Sequence, residues 1–418
     1  MSALRWALGE DADILNERQF QILLLANIIA PLGTALLSPV LDSLIDPFGA
    51  TAANIGLMIS ALTAPAIFMF PVAGVLADRI GRRPVLLFGL LSFGVGGTAI
   101  ALTTDFRVAL GLRLLQGVGY AANASVIITS LGDLYEGPRE ATAQGLRFTG
   151  SGIVQSLSPL GAGVLVVTAW QYPFLVYALS FPIAAVVFVW FEEPASAGGE
   201  GTDADRSLRE QVGQLWALAS QPKAASIVIA RGTPGIVWVG FLAYNSIHVR
   251  NVLGGSPAEA GLLAALGSVS YAISATQAGR IAALYDSRVV PMLVLNGALA
   301  GGIAVVFLAP SLPVAYAGMV LSGLGLGSLM SIYRSIITGL APTSLRGGLV
   351  SLGEAVGRLA VTIAPIAMGA GIAVGTPRLG FATSIQVVGV GTGVVAASVG
   401  VAGILVARAS PPITPPAD

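Results

Sequence analysis

Two stretches constrain this chain more than any others. No charged residue occurs from Phe148 to Phe191, and none from Val289 to Tyr333. About 20 apolar residues suffice to cross a bilayer as a helix, so each stretch holds more than one crossing. Trp170-Gln-Tyr-Pro173 divides the first, with aromatic rings suited to a membrane interface. Pro310-Ser-Leu-Pro313 divides the second. The same reading along the chain predicts twelve membrane helices, at 19–41, 51–77, 84–104, 106–132, 140–168, 171–191, 223–247, 257–282, 289–309, 312–339, 345–373 and 379–407.

Composition supports this reading and narrows the chemistry. Only 10% of the residues are charged, against about 25% in a soluble domain. The mean hydropathy is +0.83. The 53 glycines suit helices that pack closely in lipid. Twenty-one basic and 21 acidic residues balance, which gives no footing for nucleic acid. With no cysteine, disulfides, thiol catalysis and thiolate metal sites are excluded, and the single His248 argues against a histidine-based metal site. No histidine–carboxylate cluster, nucleophile motif or phosphate loop is present. Gly94-Val-Gly-Gly97 and Gly323-Leu-Gly-Leu-Gly327 sit within helices and lack the strand that a nucleotide loop follows. The expectation is a protein that is not an enzyme and needs no cofactor. Residues 1–19 mix acids and bases and lack the apolar core and cleavage site of a signal peptide, so insertion is expected through the first span.

Glu192 to Gln221 differs from its surroundings. It carries Glu192, Glu193, Glu200, Asp203, Asp205, Arg206, Arg209 and Glu210 around Gly198-Gly199. It reads as a polar linker with a short amphipathic helix at 207–219. The expected organisation is therefore an N-terminal six-helix bundle (1–191), a cytoplasmic linker (192–222) and a C-terminal six-helix bundle (223–418) with a proline-rich, disordered tail from Ser410. Basic residues fix the orientation. With both termini inside, Arg5, Arg18, Arg79, Arg82, Arg83, Arg139, Arg206, Arg209, Lys223, Arg280, Arg288, Arg346 and Arg408 fall on the cytoplasmic side, and Arg107, Arg250 and Arg378 outside. Arg113, Arg147, Arg231, Arg334 and Arg358 fall within spans.

Between spans two and three the chain reads Gly74-Val-Leu-Ala-Asp78-Arg79-Ile-Gly81-Arg82-Arg83. This tight basic turn resembles the signature of the major facilitator superfamily of secondary transporters, G-x-x-x-D-R-x-G-R-R/K, at every fixed position. Arg113-Leu-Leu-Gln116-Gly117-Val-Gly119 in span four resembles a second motif of that superfamily, R-x-x-Q-G-x-G. Span five matches the antiporter motif G-x-x-x-G-P-x-x-G-G only in part: Pro159 and Gly163 are kept, while Val154, Ser158 and Ala162 replace glycines. The halves also echo one another. Gln116-Gly-Val-Gly119 matches Ser322-Gly-Leu-Gly325, and the second copy of the basic turn, from Gly279 to Arg288, keeps the chemistry and not the spacing.

The resemblance implies an all-α membrane protein of twelve helices in two six-helix bundles related by pseudo-twofold symmetry. It also implies a multi-pass monomer in the plasma membrane that binds small molecules by alternating access. It assigns Asp78, Arg79, Arg82 and Arg83, with Gly74 and Gly81, to a cytoplasmic latch of weak contacts, and Arg113 to proton coupling. The residues themselves add Glu354 and Arg358, four apart on one helical face in span eleven. Glu354 falls roughly 15 Å into its span, near the bilayer centre. It either loads a proton or forms a permanent ion pair. Asn27, Asn123, Arg147, Gln155, Arg231, Tyr244 and Asn245 are candidates to line a substrate cavity, each also readable as helix-packing glue. The leading expectation is proton-coupled efflux of small hydrophobic or amphipathic compounds. The alternatives are proton symport of an organic acid or sugar, and a receptor or lipid-handling protein without turnover.

Overall fold

The computed structural model describes residues 9–193, 213–285, 287–340 and 345–413. Arg5, most of the linker with Arg206 and Arg209, Asp286 and the last five residues lie outside the described residues. So does the first part, 207–212, of the region expected as an amphipathic helix, while 213–219 is helical. Among the described residues the chain is helical throughout, with twelve helices long and apolar enough to cross a membrane. They are Arg18–Val40, Leu57–Ile80, Arg82–Leu102, Phe106–Leu134, Thr142–Thr168, Tyr172–Trp190, Pro222–Asn251, Pro257–Ala283, Val289–Leu308, Leu312–Leu340, Gly348–Leu379 and Phe381–Ala409, spans one to twelve below.

Most ends agree with expectation to within a few residues, and the differences have local causes. Span two begins at Leu57 because residues 51–54 close a turn, with Thr51 N donating to Asn54 Oδ1 at 2.7 Å and Asn54 N donating to Thr51 Oγ1 at 3.3 Å. Span seven runs on to Asn251, as its backbone ladder is satisfied past Arg250. Spans two and three are separated by Gly81 alone, at φ +99°. A side chain there would be strained and would also meet Glu193. Asp105 caps span four, accepting from Arg107 N at 2.7 Å and Val108 N at 3.3 Å. Ser256 and Glu259 form a reciprocal capping box at the start of span eight.

Two compact units emerge: residues 1–50 with 61–200, and residues 51–60 with 201–418. In the first, span four packs on span three through Gly119. A Cβ there would lie 2.5 Å from Gly89 O and from Phe93 N. In the second, span ten packs on span nine through Gly325, where a Cβ would lie 2.7 Å from Leu295 O and 2.6 Å from Leu299 N. These are the corresponding glycines of the repeated motif, so both units use the same backbone-to-backbone crossing. In lipid, where apolar surface gives no drive between helices, such close approach supplies the packing energy. Within the second unit, residues 51–60 are held by Ser60 Oγ, which donates to Thr362 O at 2.8 Å, and by Tyr244.

Candidate functional site

The intramembrane charge of the second unit gathers in one place. Arg231 lies in span seven, Arg334 in span ten, and Glu354 and Arg358 one turn apart in span eleven. Arg231 Nη2 donates to Glu354 Oε1, and Arg334 Nη2 donates to the same oxygen at 3.2 Å. Arg358 acts on this carboxylate electrostatically. Tyr271 of span eight lies within the field of Arg334, Arg231 and Glu354. The Arg231 side chain is 7% exposed, Glu354 35% and Arg334 50%. Glu354 Oε2 receives no hydrogen bond among the described residues. The carboxylate is thus gripped at one oxygen and open at the other.

Small residues make this arrangement possible. A Cβ on Gly357 would lie 2.8 Å from Arg231 Nη1, and one on Gly353 would lie 3.5 Å from Arg231 Cδ. Gly232 and Gly235 bring span seven against Ala360 and Val361 of span eleven. Glu354 stands eight positions (354 − 346) along the helix Arg346–Leu379, which has 34 residues. At 1.5 Å per residue it is about 12 Å from the start, nearer the end of that helix than its middle. A guanidinium beside a carboxylate lowers the cost of keeping either in a poor dielectric. The open Oε2 is a free acceptor, able to take a proton or a hydrogen-bond donor.

The first unit is built differently. Arg113 is fully buried and its described partners are neutral. Nη1 donates to Gln116 Oε1 at 2.6 Å and to the Tyr177 hydroxyl at 3.4 Å, and Nη2 donates to Gly33 O at 2.8 Å. This arginine ties together spans one, four and six. Asn27 Nδ2 donates to Ser151 Oγ at 2.6 Å and to Arg147 O at 3.1 Å. Arg147 returns a bond from Nη1 to Asn27 Oδ1 at 3.4 Å, donates from Nε to Gln144 at 3.0 Å, and lies 4.2 Å from the Phe148 ring centroid. Spans one and five are therefore joined at Asn27, which bonds Ser151 and the Arg147 guanidinium, with no acid among these three residues. Spans seven and eleven, their counterparts in the repeat, are joined by the ion pair Arg231–Glu354.

The remaining candidates are dispersed. Asn123 is buried, with neither amide atom hydrogen-bonded, and a Cβ on Gly89 would lie 2.5 Å from its Oδ1. Gln155 is half-buried on span five. The Tyr244 hydroxyl lies 3.2 Å from both Ala53 O and Pro365 O. Asn245 Nδ2 donates to Ala260 O at 2.8 Å.

At the basic turn, Arg82 is buried and bridges Asp78 and, at 2.9 Å, Asp133 at the end of span four. Glu193, just past span six, accepts from the backbone N–H groups of Arg82 and Arg83, the latter at 2.9 Å. An acid at these orphan donors satisfies the start of span three and complements its dipole. The Arg83 side chain donates to Phe188 O and lies 5.2 Å from that ring. Arg79 is exposed. Nearby, outside the spans, the Tyr135 hydroxyl donates to Glu17 Oε2 at 2.6 Å, and Arg139 pairs with Glu17 and, at 3.0 Å, with Asp13. Burial, then the bond to Glu17, raises the pKa of Tyr135. Hydrogen bonds to Asp13 and Glu17 raise that of Arg139.

Sequence reasoning missed Asp133, Glu193, Tyr177, Tyr271 and Gly357. Asp133 and Glu193 show in the sequence only as acids at helix ends, with nothing to say that they face the basic turn. The two tyrosines and the glycine carried none, because their roles depend on which spans are neighbours.

A sequence model of the Major Facilitator Superfamily matches residues 23–247 and 227–417, which together cover nearly the whole chain. The chain belongs to this superfamily. Among relatives, the bacillibactin exporter of Bacillus subtilis (strain 168) is 32% identical over 35% of this chain and 38% of its own length. The class H tetracycline resistance protein of Pasteurella multocida is 24% identical over 79% of this chain and 84% of its own. The match to the exporter thus spans under two fifths of that relative. Among solved structures, a bacterial homologue of the human lysosomal transporter Spinster, inward-facing and unoccupied, superposes with TM-score 0.78 at 16% identity, over 95% of this chain and 98% of that one. Among the described residues of this chain, twelve helices long and apolar enough to cross a membrane agree with membership of the superfamily.

Proposed function

We propose that this superfamily member exports small hydrophobic or amphipathic compounds in exchange for protons, with Glu354 as the coupling carboxylate. The observation that carries the reading is the geometry of Glu354. One oxygen is held by Arg231 and Arg334, the other receives no hydrogen bond among the described residues, and the side chain as a whole is 35% exposed. A proton and a substrate donor group compete for the open oxygen, and mutually exclusive occupancy is what makes an exchanger. The exporter and resistance proteins among the relatives support the outward direction. Access alternates between the two sides of the plasma membrane, both termini are cytoplasmic and the working unit is a monomer.

The charge at the cluster favours one second reading. Three arginines act on a single carboxylate, so a small organic acid could bind them once Glu354 is protonated and move with the proton.

One experiment separates the two. Purified protein is placed in liposomes holding a pH-sensitive dye, and a gradient of tetracycline, a lipophilic cation or an organic acid is imposed. Proton movement opposite to the compound, lost in Glu354→Gln, is the expected result. Proton movement alongside the organic acid establishes symport. The absence of proton movement with every compound overturns both.

A further inference from the structure

We infer that span ten has a pivot at residues 324–328, held by Ser274 of span eight, and that this pivot carries Arg334 onto and off Glu354. The inference rests on the reading of Glu354 as the coupling carboxylate and makes Ser274 a positioning residue for it.

The backbone of span ten is where the pivot shows. In an α-helix the N–H of Ser328 pairs with the carbonyl of Leu324, four positions back. Ser274 Oγ stands at both groups: it donates to Leu324 O and accepts from Ser328 N at 3.2 Å. A side chain inserted into the helical ladder is a known cause of bending. In the next turn Ser331 Oγ donates to Gly327 O at 3.0 Å and draws on a second carbonyl of the ladder. Glycines let span eight come this close. A Cβ on Gly323 would lie 2.6 Å from Gly267 O, and one on Gly327 would lie 2.1 Å from Tyr271 O and 2.8 Å from Ala275 N. With Gly325 against span nine, residues 323–328 are fixed backbone-to-backbone on two sides. Further along, a Cβ on Gly279 of span eight or on Gly339 of span ten would meet nothing within 4 Å. That end of span ten meets span eleven through a side chain, Ile337 Cδ1 against Gly353.

Arg334 rides on this end. It lies six positions past Ser328 (334 − 328), about 9 Å along the helix. A bend of about 20° moves it about 3 Å, enough to break the 3.2 Å bond from Nη2 to Glu354 Oε1. Arg231 keeps its hold, because span seven meets span eleven closely at Gly232 and Gly235. Glu354 is acted on by Arg231, Arg334 and Arg358, and Tyr271 of span eight lies in the same field. Withdrawing one of these cations changes how firmly the carboxylate holds a proton, while the pair with Arg231 remains.

The test uses the lack of cysteine in this chain. Spin labels on Gly279→Cys and Gly339→Cys in the full-length protein report the distance between the ends of spans eight and ten by double electron–electron resonance. Gly339 lies 11 positions past Ser328 (339 − 328), so the same bend moves it about 6 Å. Glu354→Gln removes the charge that holds Arg334 and should shift the distance distribution on that scale. Ser274→Ala lets Leu324 O and Ser328 N pair with each other, so the helix is kept and the shift should fall by half or more. Ser328→Ala retains both bonds of the Ser274 hydroxyl and should leave the shift in place. In liposomes, with a compound that the wild-type protein carries, the rate–pH profile of Ser274→Ala should be displaced in the same sense as that of Arg334→Gln. The double variant should be displaced no further than Arg334→Gln alone. No shift in Glu354→Gln, a shift undiminished by Ser274→Ala, equal loss in both serine variants, or a wild-type profile in Ser274→Ala overturns the inference. Proton-driven exchange that needs Glu354 and is indifferent to Ser274 overturns the pivot and leaves exchange standing. The expected label shifts in a protein that moves no protons overturn the exchange reading instead.

Discussion

Arg231 and Gly357 show how one hydrogen atom in place of a methyl group positions a charge. Gly357→Ala would push its Cβ against Arg231 Nη1, and the guanidinium, as the far end of a flexible chain, gives way by turning off Glu354. The expected outcome is a protein of nearly wild-type thermal stability whose rate–pH profile is displaced, since the cation beside the carboxylate has moved. An unchanged profile would show that the guanidinium reseats itself. Arg113 poses the opposite case, a buried cation paired with neutral acceptors. Arg113→Met leaves Gly33 O and Gln116 Oε1 without their donor, at about 1–3 kcal/mol for each group left unpaired. A drop in melting temperature of several degrees checks this. Both residues were legible in the sequence, because an arginine within a long apolar run stands out. Their partners were not. Gly33 O is a backbone atom, and Tyr177, Tyr271 and Gly357 resemble many other residues of their kind until the helices are assembled. Glu354 was legible as an intramembrane acid, but its depth was not. The helix reaches to Leu379, which places the acid nearer its start than a span ending at residue 373 suggests.

Among the elements, the crossings of span three with four and of nine with ten carry the clearest prediction. Gly119→Ala and Gly325→Ala each set a methyl group against backbone atoms that cannot yield. Each should cost about 1–3 kcal/mol, the usual penalty of overpacking. Gly111→Ala and Gly152→Ala, on the same kinds of helix, meet nothing within 4 Å and should be neutral or slightly stabilising. Comparing the melting temperatures of the four variants in one detergent tests the assignment. A uniform effect would contradict it. Glu193→Ala removes the acceptor for two N–H groups at the start of span three and should cost about 1 kcal/mol. The twelve helices and the paired glycine motifs could be read from apolar run lengths and spacing. The cap from Glu193 could not, because nothing in the sequence shows that the end of span six returns to the start of span three.

Across the whole molecule, the two units repeat their packing and diverge in their charge. Equivalent glycines make equivalent crossings, yet spans one and five are joined at Asn27 by Ser151 and Arg147, where seven and eleven use Arg231 and the acid Glu354. Under the proposed exchange, coupling belongs to the C-terminal unit, where an acid joins the two spans. The most direct test is to compare two transport modes in Glu354→Gln liposomes. One is uphill transport, driven by a pH gradient, of a compound that the wild-type protein carries, and the other is exchange of labelled for unlabelled compound with no gradient. The account predicts that exchange persists, because the fold and the path are intact, while uphill transport is lost, because nothing competes with the compound for the open oxygen. Uphill transport at the wild-type rate in Glu354→Gln would contradict it and place the coupling group elsewhere in the chain.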